Sequence, residues 1–64
     1  MNQEQRKRLQ EALDIVSAIA EEEREKYDNL SEYFPDSERT ERIGEIAGNL
    51  DEAVSYIEEA MEEY

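Results

Sequence analysis

The sequence predicts an all-α chain: an antiparallel two-helix hairpin that dimerises into a four-helix bundle. Three observations predict it. From Ile43 to Tyr64 one heptad runs unbroken through Ile43, Leu50, Ile57 and Tyr64, with Ile46, Ala53 and Ala60 three residues after the first three. That spacing makes one apolar stripe along a helix, and the row Ala47, Val54 and Met61 widens it. A second periodic run precedes it: Leu9, Leu13, Val16, Ala20, Tyr27, Leu30 and Phe34 in alternating four- and three-residue steps. Between the two stands Pro35, the only proline, which a helix interior does not tolerate.

The elements follow in chain order, as a single domain over 1–64: a helix over about 3–29, a bend over 30–36 and a helix over about 37–63. Asn2 with Gln5 three residues later forms a capping box for the first helix. Ala12, Ile15 and Ile19 extend its apolar face to one side, so the arc covers about 160° at 100° per residue, more than one neighbouring helix needs. Glu23 is the one polar residue in the stripe. Leu30 to Phe34 are expected to form a short turn, with Tyr27, Tyr33 and Phe34 closing the core there. Asp36 or Ser37 caps the second helix, and Glu38 lies in its first turn, where the helix dipole favours an acid. A bend centred there sets Leu13 opposite Ala53 or Val54, and Val16 opposite Leu50.

Charge placement is read the same way. Arg6, Lys7 and Arg8 fall near Glu58, Glu59, Glu62 and Glu63 once the chain folds back, each cluster lying at the unfavourable end of its own helix dipole. At the other end Glu23 is expected near Arg39 and Arg42.

Sixty-four residues with nineteen acids, seven bases and a net charge of −12 make a small and strongly acidic chain. So short a chain hides a small share of its surface, and disulfides, a metal or oligomerisation commonly supplement the core. With no cysteine and no histidine, disulfides, zinc–thiolate sites and imidazole chemistry are excluded. The net charge opposes direct binding to nucleic acid or anionic membrane and suits a basic protein partner. Arg6-Lys7-Arg8 followed by Leu9 to Ala20 is too interrupted by Gln10, Glu11 and Asp14 to be a signal sequence, and a cytoplasmic location is expected.

The acid-rich motifs Glu21-Glu22-x-x-Glu25 and Glu58-Glu59-x-x-Glu62 superficially match the magnesium-holding EExxE of all-α nucleotide pyrophosphatases. The ExxD that should follow on the next helix is absent: Glu38-x-x-Glu41 stands there instead. Solvated helix faces are therefore the reading, with no metal and no cofactor. Ser17, Ser31, Ser37, Ser55 and Thr40 lack a histidine base, so no catalytic residue is assigned. Gly44-x-x-x-Gly48 points away from the seam; the two glycines read first as tolerated helix positions, with room for a partner helix as the lesser alternative.

The runs Glu25-Lys26-Tyr27-Asp28-Asn29-Leu30-Ser31-Glu32, Ser37-Glu38-Arg39 and Asn49-Leu50-Asp51-Glu52-Ala53 resemble a group of short acidic helical-hairpin proteins of bacteria and their phages. Those share a Tyr/Phe-Asn-Leu-Pro bend and a Ser-Glu-Arg helix start. This chain departs from the pattern at Ser31, where they carry proline, and has Pro35 instead. The resemblance covers about the C-terminal two-thirds. It implies a helical hairpin and no catalytic residues, in the host cytoplasm if the chain is phage-encoded.

The expectation is a non-enzymatic acidic protein-interaction module acting as a homodimer through Leu9, Ala12, Ile15, Val16, Ile19, Val54, Ile57 and Met61. The alternative is an inhibitor from a phage or mobile element that imitates nucleic acid, presenting Glu58, Glu59, Glu62 and Glu63 to a basic protein.

Overall fold

In a computed structural model that describes residues 1–62, the chain is two packed helices, α1 (Gln3–Tyr33) and α2 (Glu38–Met61). Glu63 and Tyr64 lie outside the described residues. The N-terminus of α1 is held by the capping box: the Gln5 N–H donates to Asn2 Oδ1 at 2.8 Å, and the Asn2 N–H donates back to Gln5 Oε1 at 3.2 Å.

The end of α1 corrects the expected boundary. The helix does not stop near Asn29 but runs four residues further, through Leu30–Tyr33. Asn29 and Ser31 are poor helix formers by only tenths of a kcal/mol, roughly, which packing overrides. Ser31 also satisfies its hydroxyl inside the helix by donating to the Asp28 carbonyl at 3.1 Å. The break comes where Pro35 disfavours helical geometry in the residue before it: Phe34 leaves the helix at φ −137° and ψ 63°.

A short connection over 34–37 then turns the chain. Ser37 caps α2, its Oγ accepting from the N–H groups of Arg39 and Thr40. The Phe34 carbonyl accepts from the Ser37 N–H at 3.3 Å and from the Thr40 hydroxyl at 2.7 Å. Thr40 is 1% exposed, so the turn is closed by a buried hydroxyl. The expected aromatic closure does not form. Tyr33 and Phe34 are exposed and Tyr27 is only partly covered, because the later helix end turns the first two away from α2.

The longer α1 also shifts the pairing register. Tyr27 lies against Gly44, and Arg24 forms an ion pair with Asp51 across the helices. Stepping outward from these pairs brings Leu13 level with residues 58–62, not Ala53 or Val54. Val16 comes level with 55–59 rather than Leu50. Glu23 is likewise level with 48–52, far from Arg39 and Arg42, and its carboxylate instead accepts from Lys26 on its own helix at 3.0 Å. At 1.5 Å per residue α1 is about 46 Å long and α2 about 36 Å, so the start of α1 projects roughly 10 Å past Met61. Among the described residues no ion pair joins Lys7 or Arg8 to Glu58, Glu59 or Glu62.

The core is slender. Leu13, Ala20, Ile43 and Ala47 are its buried apolar residues. The hairpin measures 46 × 14 × 12 Å with a radius of gyration of 14.7 Å, where a compact chain of this length has about 11 Å. No described helix is long and apolar enough to cross a membrane.

Candidate interaction face

The side chains that face α2 from α1 are Leu13, Ala20 and, beyond them, Tyr27, one heptad apart. Rows on either side lie about 50° round the helix. One shoulder is Ser17, Arg24 and Ser31; the other is Leu9, Val16, Glu23 and Leu30, with Ala12, Ile19 and Lys26 further round. On α2 the buried residues are Thr40, Ile43 and Ala47. Its shoulders are Gly44, Asp51 and Glu58 on one side, and Arg39, Ile46, Ala53 and Ala60 on the other.

The Arg24–Asp51 ion pair shows how these shoulders match. It joins the Ser17 shoulder of α1 to the Gly44 shoulder of α2, so those two share one face of the hairpin. The opposite face must then combine the Val16 shoulder of α1 with the Ile46 shoulder of α2. One face is polar. The other is largely apolar.

On the apolar face Ile15 is 62% exposed, Ile19 43% and Ile46 40%, and Ala12 and Ala60 are exposed too. Leu9, Val16, Leu50, Ala53 and Ile57 are half-buried along its floor. Of the residues read from sequence as a self-association surface, Leu9, Ala12, Ile15, Val16, Ile19 and Ile57 are therefore brought together. Val54 and Met61 are not: both are half-buried in the row that continues Thr40 and Ala47 toward α1. In their place the structure exposes Ile46 and Ala60. The seam read from sequence weighted large aliphatics, whereas α2 approaches α1 on its small row, Thr40 and Ala47, and rolls Ile46 outward.

The polar face carries a shallow hollow lined by Arg24, Tyr27, Glu41, Gly44, Glu45 and Asp51. Its floor is Gly44, where a Cβ would come within 2.8 Å of Tyr27 Cε1. Gly44 thus makes room for Tyr27 of its own chain. A Cβ at Gly48 would meet nothing within 4 Å. Glu58, Glu59 and Glu62 are exposed, whereas Glu63 lies outside the described residues. Among the described residues no three carboxylates converge to hold a metal ion.

No family model, curated protein or solved structure matches the chain.

Proposed function

We propose that the chain is a non-enzymatic acidic interaction module that acts as a homodimer, two hairpins closing their apolar faces on each other as a four-helix bundle. The observation that carries this reading is an excess of surface. The single chain exposes 5221 Å². A compact monomer of 7.5 kDa is expected to expose about 4,250 Å², which leaves a surplus of about 1,000 Å². A standard protein interface takes about 800 Å² from each partner. The surplus is therefore of the size that a second copy covers, and the exposed aliphatics from both helices already share one face.

Charge opposes the pairing, because each copy carries −12. Most acids project from the polar and outer faces, however, where physiological salt screens them beyond about 8 Å. Sedimentation equilibrium of the whole chain at micromolar concentrations tests the proposal. The expected result is twice the chain mass, with dissociation favoured at low salt. A monomer at high micromolar concentration would overturn it.

A second reading is favoured by the absence of any basic residue from Ile43 to Tyr64 and by the exposure of Glu58, Glu59 and Glu62. It makes this end a nucleic-acid mimic of a phage or mobile element that occupies a basic protein. Competition with DNA for an enzyme, lost when Glu58, Glu59, Glu62 and Glu63 are neutralised, would support this reading. Undiminished competition by the neutralised variant would exclude that surface.

A further inference from the structure

Every residue from Glu32 to Asp36 at the bend is exposed, and the middle of that run is apolar: Tyr33 at 73%, Phe34 at 60%, and Pro35. Single exposed apolar side chains are ordinary, whereas a consecutive run that the core does not use marks a surface for something else. The backbone beneath it is tied down. The Phe34 carbonyl accepts from the Ser37 N–H and from the buried Thr40 hydroxyl, so the rings stand on a turn already held by two hydrogen bonds. Groups displayed on an ordered turn lose less freedom when a partner covers them.

The bend also carries charge of one sign. No base lies between Lys26 and Arg39, whereas Asp28, Glu32, Asp36 and Glu38 do. α1 has no basic residue in its last turn to answer the negative end of its dipole. The positive end of α2 beside it is already met by the Ser37 cap and by Glu38 and Glu41. Among the described residues the Glu32 and Asp36 carboxylates form no ion pair. We propose that Tyr33 and Phe34 are a docking tip for an arginine-bearing segment of a basic protein, a guanidinium lying on a ring and donating to Glu32 or Asp36. Arginine suits both parts of the tip: its planar ion stacks on aromatic faces and its fork matches a carboxylate, whereas the lysine ammonium is compact and strongly hydrated. A second copy suits the tip less, because it brings a net charge of −12 to the same acids. The proposal does not rest on the homodimer reading, since a monomer presents the same tip.

Fluorescence anisotropy with labelled hexa-arginine and hexalysine peptides, on the whole chain near physiological salt, tests this. Hexa-arginine should bind several-fold more tightly than hexalysine. Tyr33→Leu with Phe34→Leu keeps apolar bulk but removes the ring faces, and should weaken hexa-arginine roughly five- to tenfold and erase the preference. Tyr56→Leu removes a ring that is 69% exposed on α2 and should leave the affinity nearly unchanged. Circular dichroism checks that each variant keeps its helices. Equal affinity for the two peptides, a leucine pair that binds like the native chain, or an equal loss at Tyr56 would each overturn the proposal, because acidity alone would then account for binding. Glu32→Gln with Asp36→Asn should weaken hexa-arginine and reduce its salt dependence, and unchanged binding would overturn the carboxylate contact. Sedimentation of Tyr33→Ser with Phe34→Ser addresses the other occupant. A native dimer that this pair dissociates would assign the rings to a second copy and overturn the docking tip, whereas an unchanged mass supports it. A native chain that is monomeric but still prefers hexa-arginine through these rings would overturn the homodimer reading and uphold the tip.

Discussion

Gly44 lies beneath the ring of Tyr27, so close that a Cβ at Gly44 would stand 2.8 Å from Tyr27 Cε1. Gly48, one turn later on the same helix, faces open space. The two glycines therefore separate a packing requirement from a plain propensity cost. Gly48→Ala should stabilise the chain by roughly 0.5–1 kcal/mol, the usual helix gain over glycine. Gly44→Ala should gain less or lose, because the ring must move. In a Tyr27→Ala background the Gly44→Ala gain should rise toward that of Gly48. Chemical denaturation of the four variants measures this, and equal gains at both sites in the native background would contradict the packing role.

The turn depends on Thr40 more than on its aromatics. Its hydroxyl donates to the Phe34 carbonyl at 2.7 Å from a buried position. Thr40→Val keeps the shape and removes the donor, and should cost about 1 kcal/mol. Phe34→Ala and Tyr33→Ala remove exposed rings and should cost less. Urea midpoints rank the three, and a larger loss at Phe34 than at Thr40 would reverse the assignment.

How much of this was legible from sequence depends on how local the cause is. The capping box of Asn2 and Gln5, the Ser37 cap and the break at Pro35 are set by side chains acting within a few residues, and each is readable. The end of α1 was not, because Asn29 and Ser31 look like turn residues and their small propensity costs are overruled by packing. That error propagates: four added residues in α1 moved Leu13, Val16 and Glu23 to new levels along α2. Arg24 and Asp51 could have been paired in advance only with the correct register. The half of the apolar face on α1 was readable from the width of its arc at Ala12, Ile15 and Ile19. The half on α2 was not. There the choice between the Val54 row and the Ile46 row depends on the small size of Ala47 and the buried hydrogen bond of Thr40, neither of which hydrophobicity reveals.

The cross-helix ion pair predicts where stability responds to salt. Arg24 and Asp51 are each about half exposed, so their pairing contributes only about 0.2–1 kcal/mol and is screened. Arg24→Glu should lower the melting temperature at low salt, and Arg24→Glu with Asp51→Arg should restore most of it. Lys7→Glu should do less, since it makes no ion pair among the described residues. Thermal melts at 10 mM and 500 mM salt would show this order at the first and near-convergence at the second. A larger effect from Lys7 would place the electrostatic link at the open end instead.

Ile19 and Ile46 offer the sharpest test of the apolar face, because they come from different helices and lie on one face only if the two shoulders share a side. Each is about two-fifths exposed in the single hairpin, so each still has apolar area to lose to a second copy. Complete burial of such a side chain is worth about 1.5–3 kcal/mol, and a two-fold interface counts every position twice. Ile19→Glu or Ile46→Glu alone should therefore weaken self-association by roughly a hundredfold or more, leaving a chain that sediments as a monomer at low micromolar concentration. Ile15→Glu should act in the same direction. Gly48→Glu adds the same charge on the far side, where a Cβ meets nothing, and should leave self-association nearly unchanged. If Gly48→Glu dissociated the chain as strongly as Ile46→Glu, added charge and not loss of the apolar face would be the cause. If only the α1 substitutions acted, the face would end at Ile19 and the contribution of α2 would fall away.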